Sequence, residues 1–240
     1  MTSPATEAIC AQLESVLRRI AEAARRSGRE PDAVRLVTVT KGHSVETIRA
    51  AYGCGLRVFG ENRVEEALAK MAALAELNAV EWHLIGPLQS RKLQLVGTGF
   101  TMIHAVDRLK IARRLDEHAS EVGRPQAMLL ECNVSGESSK AGWRLDVETS
   151  WENELGELRE ISRLPGLSVR GLMTMAPLGA DPELQRETFH RLARLQAFLA
   201  TRLGCALPEL SMGMSDDFEA AVEAGATLVR IGRAILGERM

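Results

Sequence analysis

The stretch RLVTVTK, residues 35–41, has the Val- and Thr-rich make-up of a buried β-strand and ends on Lys41. A lysine at the edge of a core loses part of its hydration. That lowers its pKa and frees the amine to attack a carbonyl. Far along the chain, the run from Ser211 to Ser215 (SMGMS) leads toward a helix, and RIGR at 230–233 sets Gly232 and Arg233 before another. Exposed N–H groups at a helix start, with glycine allowing close approach, suit a phosphate. Asp216 and Asp217 follow at once and repel an anion unless they point away. A lysine and a phosphate pocket on one rim would form a Schiff base with a phosphorylated aldehyde or ketone. These residues leave open whether the carbonyl belongs to a cofactor or to a sugar phosphate.

Positioning such a set requires a fold that gathers strand ends. Eight short strand-like runs follow an opening helix: RLVTVTK, LRVFGEN, EWHLIG, TMIHAVD, QAMLLECNV, VRGLMTM, ELSMGMS and TLVRIG. Several are continuously apolar, as parallel strands under helices are. The opening helix puts Ile9, Leu13, Val16, Leu17, Ile20 and Ala24 on one face, and SGREPD stops it. Later stripes are Val64, Ala67, Met71, Leu74; then Val147, Trp151, Leu155, Leu158, Ile161; then Phe189, Leu192, Leu195, Leu199. SDDFEAAVEAGA is expected to be a helix capped by Ser215 and ending near Gly225. Residues 135–146 are expected to be a loop over the active face. Eight alternating units in 240 residues suit a closed barrel, and no GxGxxG follows the first strand to support an open nucleotide-binding sheet. The fold class is therefore α/β: a single (β/α)8 TIM-type barrel with an extra N-terminal helix, one domain over residues 1–240.

In such barrels chemistry sits at the C-terminal strand ends. Those ends carry Lys41, Glu61, Asn62, His83, His104, Asp107, Asn133, Ser211, Ser215, Arg230 and Gly232. Each also has a plain reading. Lys41 could be solvated, Asn62 and Asp107 helix caps, His83 and His104 core histidines, and Glu61 an arginine's partner. Their concentration at one rim is what the plain readings leave unexplained. No carboxylate stands near the histidines at metal-ligand spacing.

Composition narrows the class further. Charged residues are 26%, the hydrophobic class is 45% and the net charge is -2, so no basic surface awaits nucleic acid or an anionic membrane. Cys10, Cys54, Cys132 and Cys205 form no CxxC pair and no zinc spacing, so free thiols in a reducing compartment are expected. The first residues lack a basic n-region followed by an apolar block, and no run approaches the ~18 apolar residues of a membrane span. A cytoplasmic protein is expected.

Several motifs then converge. VTK (39–41), FGENRVEE (59–66), WHLIGPLQSRK (82–92), SSKAGW (138–143), GLMTM (171–175) and SMGMSDDFEAAVEAGATLVRIGRAILG (211–237) span nearly the whole chain. In them the chain resembles the pyridoxal phosphate homeostasis protein family, relatives of the N-terminal barrel of alanine racemase. The resemblance implies pyridoxal 5'-phosphate (PLP) held as an internal aldimine on Lys41. It implies Arg230 at the pyridine nitrogen, and the backbone of Gly232 and Arg233 with Ser215 around the phosphate. Asn62 matches the family's cofactor-side asparagine, and His83 and Ser211 complete the expected cofactor-binding set. The implied role is non-catalytic: to carry or buffer PLP, with PLP-dependent apo-enzymes as transient recipients, and to influence amino-acid and keto-acid balance. Gly42-His43 replaces a proline more usual just after the lysine, Arg233 stands where threonine is common, and HAVD replaces a more usual His-Ser-Ile/Val-Asp. The alternative is a PLP-dependent racemase or lyase. A racemase needs a second acid–base group, which the relatives take from a tyrosine on a separate domain. This chain's one tyrosine is Tyr52, in the first crossover helix. Without that domain's interface, a monomer is expected.

Overall fold

Strand β1 (Arg35–Val39) pairs in parallel with β2 (Val58–Glu61) on one side and with β9 (Leu228–Ile231) on the other. The first and last strands are thus neighbours. The remaining barrel strands are β3 (Glu81–Leu84), β4 (Met102–Val106), β5 (Gln126–Asn133), β7 (Leu167–Met173) and β8 (Glu209–Ser211). All pair in parallel, and the β4–β5 pairing closes the ring. This is the expected TIM-type barrel, seen here in a computed structural model that describes residues 3–96 and 99–238. The supposed loop at 135–146 holds one further short strand, β6 (Trp143–Arg144), paired in parallel with the end of β5.

The helices are α1 (Pro4–Arg26), α2 (Val45–Gly53), α3 (Val64–Ala73), α4 (Leu109–Val122), α5 (Leu155–Ile161), α6 (Pro182–Leu203), α7 (Phe218–Glu223) and α8 (Arg233–Leu236). Side-chain caps set three of the starts. Ser3 accepts the Thr6 N–H, Ser44 that of Thr47, and Asp181 those of Glu183 and Leu184. The cap expected of Ser215, and the cap readings of Asn62 and Asp107, do not hold. Arg63 and Arg108, not Asn62 and Asp107, occupy the N-caps of α3 and α4, and Asp217 rather than Ser215 precedes α7. The apolar stripes form as read, with two exceptions: Leu17 and Val147 face solvent at 46% and 51% exposure. Val147 lies before a 3-10 segment, outside the helical period that continues through α5.

Strand alternation divides the core in two. Phe59, Trp82, Leu84, Leu130, Leu210, Val229 and Ile231 face outward, under the helices. Val37, Met102, Ala105, Leu129, Met173 and Leu228 form a smaller plug inside the ring. Because Leu228 points inward, so does Arg230; because Val37 does, so does Val39, and the chain then leaves β1 toward Lys41.

Helix α1 spans the β1/β9 seam from outside, packing on α2, α7 and α8. There the four-thiol expectation is overturned: Cys10 in α1 and Cys54 at the end of α2 form a disulfide, with Cα atoms 5.2 Å apart. Spacing alone missed it because the two meet only through helix packing. Cys132 and Cys205 are free. The bridge joins positions 44 residues apart, so opening it with a reductant, or Cys54→Ser, should cost about 2–4 kcal/mol of unfolding free energy by widening the unfolded ensemble. Urea melts of oxidised and reduced protein check this; coincident curves would contradict it.

Candidate functional site

Lys41 is presented by a turn. His43 N–H donates to the Thr40 carbonyl at 3.0 Å, and Gly42 at the third position has φ +73°. A positive φ there marks a type II turn, which explains glycine in place of the proline-bearing pattern. Lys41 lines a cleft of ≈ 300 Å³ with Val39, His43, Gly232, Arg233 and Glu238. Two of the expected phosphate residues therefore share a cavity with the lysine. Gly232 has a steric reason to be glycine: a Cβ there would lie 2.9 Å from the Val39 carbonyl oxygen. The Ser215 hydroxyl accepts the Ala234 N–H at 3.4 Å and ties the loop after β8 to α8. The two adjacent acids are turned to partners. Asp216 takes both of its bonds from the Arg233 guanidinium, at 2.5 and 2.6 Å, and Asp217 accepts the Met214 N–H at 2.6 Å.

Beneath this mouth, inside the barrel, runs a buried polar chain. Arg230 donates from Nη1 to Ser211 Oγ at 2.6 Å and from Nη2 to the Thr174 carbonyl at 2.9 Å. Ser211 Oγ meets His104 Nδ1 at 2.8 Å, and His104 Nε2 meets His83 Nδ1 at 2.9 Å. His83 Nε2 lies 3.7 Å from the Glu81 carboxylate, beyond hydrogen-bond reach. Arginine can only donate. With Ser211 then donating to His104, each imidazole passes its N–H one step on, and the last faces an anion. Burial, then the positive groups around it, holds His104 well below the usual imidazole range, so it stays neutral. Burial lowers Arg230 to about 10, still protonated near neutral pH. The histidines are thus core residues: His104 is bonded at both ring nitrogens, while His83 Nε2 has no partner within hydrogen-bond distance, and His83 reaches the mouth only through His104 and Ser211.

Two buried features escaped the strand-end reading. Glu131, one inward step before Asn133 on β5, is 5% exposed and its Oε2 has no partner. Burial, then the Asp107 charge, raises its pKa to about 7 against the pull of Arg230. The second is Lys70 on α3. It meets Glu61 at 2.7 Å outside the barrel wall, because outward Phe59 fixes Glu61 as outward too. Asn62, at the end of β2, lines a separate groove with Arg63, Pro87, Leu88, Gln89 and Lys92. Among the described residues no cluster of three or more His, Cys, Asp or Glu is arranged to hold a metal ion, and no helix is long and apolar enough to cross a membrane.

A closed parallel barrel with a lysine after its first strand and an arginine on its last defines the barrel class of the alanine racemase N-terminal domain, which the chain matches over residues 11–240. Within that class the chain belongs to the pyridoxal phosphate homeostasis protein family. It is 44% identical over 231 residues to the pyridoxal phosphate homeostasis protein of Aquifex aeolicus, covering 96% of this chain and 98% of the relative. It is 38% identical to PipY of Synechococcus elongatus PCC7942, solved with PLP bound, with a TM-score of 0.82 over 95% of this chain and 100% of that one. Alanine racemase from Streptomyces coelicolor shares the fold at a TM-score of 0.70 and 20% identity, with 58% of its length covered.

The Glu131 carboxyl yields a pH test. Its raised pKa means that, from the ordinary carboxylate range up to about 7, the native protein keeps a proton that the unfolded chain releases. Stability therefore falls as pH rises through that window. Glu131→Gln should remove the fall, so its stability relative to wild type rises by on the order of 2 kcal/mol between pH 5 and pH 8. Urea midpoints at the two pH values measure it; parallel pH profiles would show that Glu131 ionises normally.

Proposed function

We propose that the protein binds PLP and carries or buffers it without turnover, influencing intracellular cofactor and amino-acid/keto-acid balance. The observation that carries this reading is the cleft shared by Lys41 and the Gly232–Arg233 start of α8: an amine and a phosphate cradle on one rim. The family's name and the PLP-bound PipY structure support it.

The residues fit the cofactor. When bound, PLP supplies an aldehyde that condenses reversibly with a primary amine, losing water. Lys41 Nζ is the amine offered. The N–H groups of Gly232 and Arg233 and the Ser215 hydroxyl would hold the phosphate, and Arg233 pairs with Asp216 beside it. Arg230 would donate to the pyridine nitrogen. Being protonated, it disfavours a proton on that nitrogen and leaves the ring a poor electron sink. Ser211 aims Arg230, and His83 acts from behind through His104. Asn62 would approach from β2, the strand beside β1. The same proposal takes residues 1–240 as one monomeric domain in the cytoplasm, with apo-enzymes as transient recipients and no nucleic-acid or membrane partner. In that compartment the Cys10–Cys54 bridge faces a reducing thiol pool. Rapid alkylation at lysis reads its state.

A racemase or lyase of narrow range is the second reading. Glu131 favours it, as a carboxyl inside the barrel tuned to about 7, the range of a general acid–base. Two experiments decide. Borohydride reduction followed by peptide mass spectrometry should find a pyridoxyl group on Lys41, with Lys41→Ala colourless; label elsewhere, or no uptake, defeats both readings. Amino acids incubated with loaded protein in deuterated water should show no α-deuterium gain above free PLP. Enzyme-like exchange that vanishes in Glu131→Gln would establish the catalyst instead of the carrier.

A further inference from the structure

Lys70 is a lysine in an unusual place. It sits on α3, outside the barrel wall, and is 6% exposed. Its Nζ has three protons and three acceptors: the Thr40 carbonyl, Glu61 Oε1 and Glu66 Oε1, each at 2.7 Å. Burying an ammonium costs several kcal/mol unless every donor is matched. A helix face that merely packed on β1 and β2 would be served by leucine. The two carboxylates each reach the backbone or side chain beside Lys41. Glu66 Oε1 accepts the Gly42 N–H at 2.6 Å, and Glu61 Oε1 accepts the Thr40 hydroxyl at 2.6 Å. The Thr40 carbonyl held by Lys70 also accepts the His43 N–H that closes the turn.

We infer that Lys70 is a positioning residue for Lys41: from behind the wall it clamps the peptide groups on both sides of Lys41, directly at the Thr40 carbonyl and through Glu66 at the Gly42 N–H. The lysine's backbone is then fixed by charge-assisted bonds rather than by the turn alone. Lys41 is the second residue of a two-sided clamp, and its side chain leaves from a backbone that cannot swing. The clamp stands on geometry in the free protein; its use in capturing an aldehyde rests on the PLP-binding reading.

Two arms keep these apart. In cofactor-free protein, Lys70→Met should speed amide hydrogen exchange in the peptide holding residues 40–43 by about tenfold or more, the scale of one lost charge-assisted bond. Barrel strands away from β1 and β2 should exchange as in wild type. In the second arm, PLP and pyridoxine 5'-phosphate, which has an alcohol in place of the aldehyde, are titrated separately. Lys70→Met should weaken PLP by about tenfold or more and leave pyridoxine 5'-phosphate within about twofold, because only the aldehyde uses Lys41. Where Lys70→Met strands Glu61 and fails to fold, Glu61→Gln/Lys70→Met removes the buried charge while keeping an acceptor for Thr40, with the same outcome expected. Unchanged exchange at 40–43 overturns the clamp. Equal loss of both ligands overturns positioning in favour of general damage. Wild type that takes up no PLP defeats the binding reading, while the exchange arm still decides the clamp.

Discussion

The contact on which everything else depends is the pairing of β1 with β9. It aligns Val37 with Arg230 and Thr38 with Ile231, so positions nearly two hundred residues apart become neighbours. The strand that runs into the Lys41 turn lies against the strand that runs into Gly232 and Arg233. Their junction has no room to spare: the Gly232 backbone rests on Val39. Any larger residue there would push α8 from β1 and open the cleft that both strands line.

A closed barrel has a second constraint, a low-dielectric interior that strand alternation obliges some polar residues to enter. The chain meets it in two ways. Arg230 is matched by a serine and a carbonyl, with neutral His104 behind the serine, so one cation is held on a hydrogen-bonded path without a buried counter-ion in contact. Outside the wall, Lys70 is matched by two carboxylates, and burial raises the pKa of Glu61 while Glu66 is held low. The first arrangement fixes the Arg230 guanidinium inside the ring. The second grips main chain.

How much of this was legible in sequence follows from which forces are local. Eight apolar runs and their spacing gave the strands, and Lys41, Gly232 and Arg233 did converge on one cleft. The face of each strand end was less legible, because closure of the ring, not local composition, decides it. Glu61 was thus read at the rim but lies behind the wall, and Glu131 was passed over although it shares the inward face of β5 with Asn133. Lys70 reads as an ordinary helical i,i+4 partner of Glu66 until β2 supplies Glu61. Cys10 and Cys54 carry no pattern, since their meeting is tertiary. Ser215 carries a helix-cap signature, yet Asp217 takes the cap position and Ser215 serves α8.

Helix α1 is made first, and most of what covers it is made last. Its apolar side, from Ile9 to Ala24, is made early by the ribosome, yet much of its cover is α7 and α8. The pairs Arg19–Glu219 and Arg26–Glu223 and the bond from Arg29 to the Val222 carbonyl likewise wait for the last quarter of the chain. During synthesis, of the helices that pack on it only α2 is at hand to cover this face until the last quarter of the chain emerges, so the part that meets α7 and α8 is exposed to non-native contacts for most of elongation.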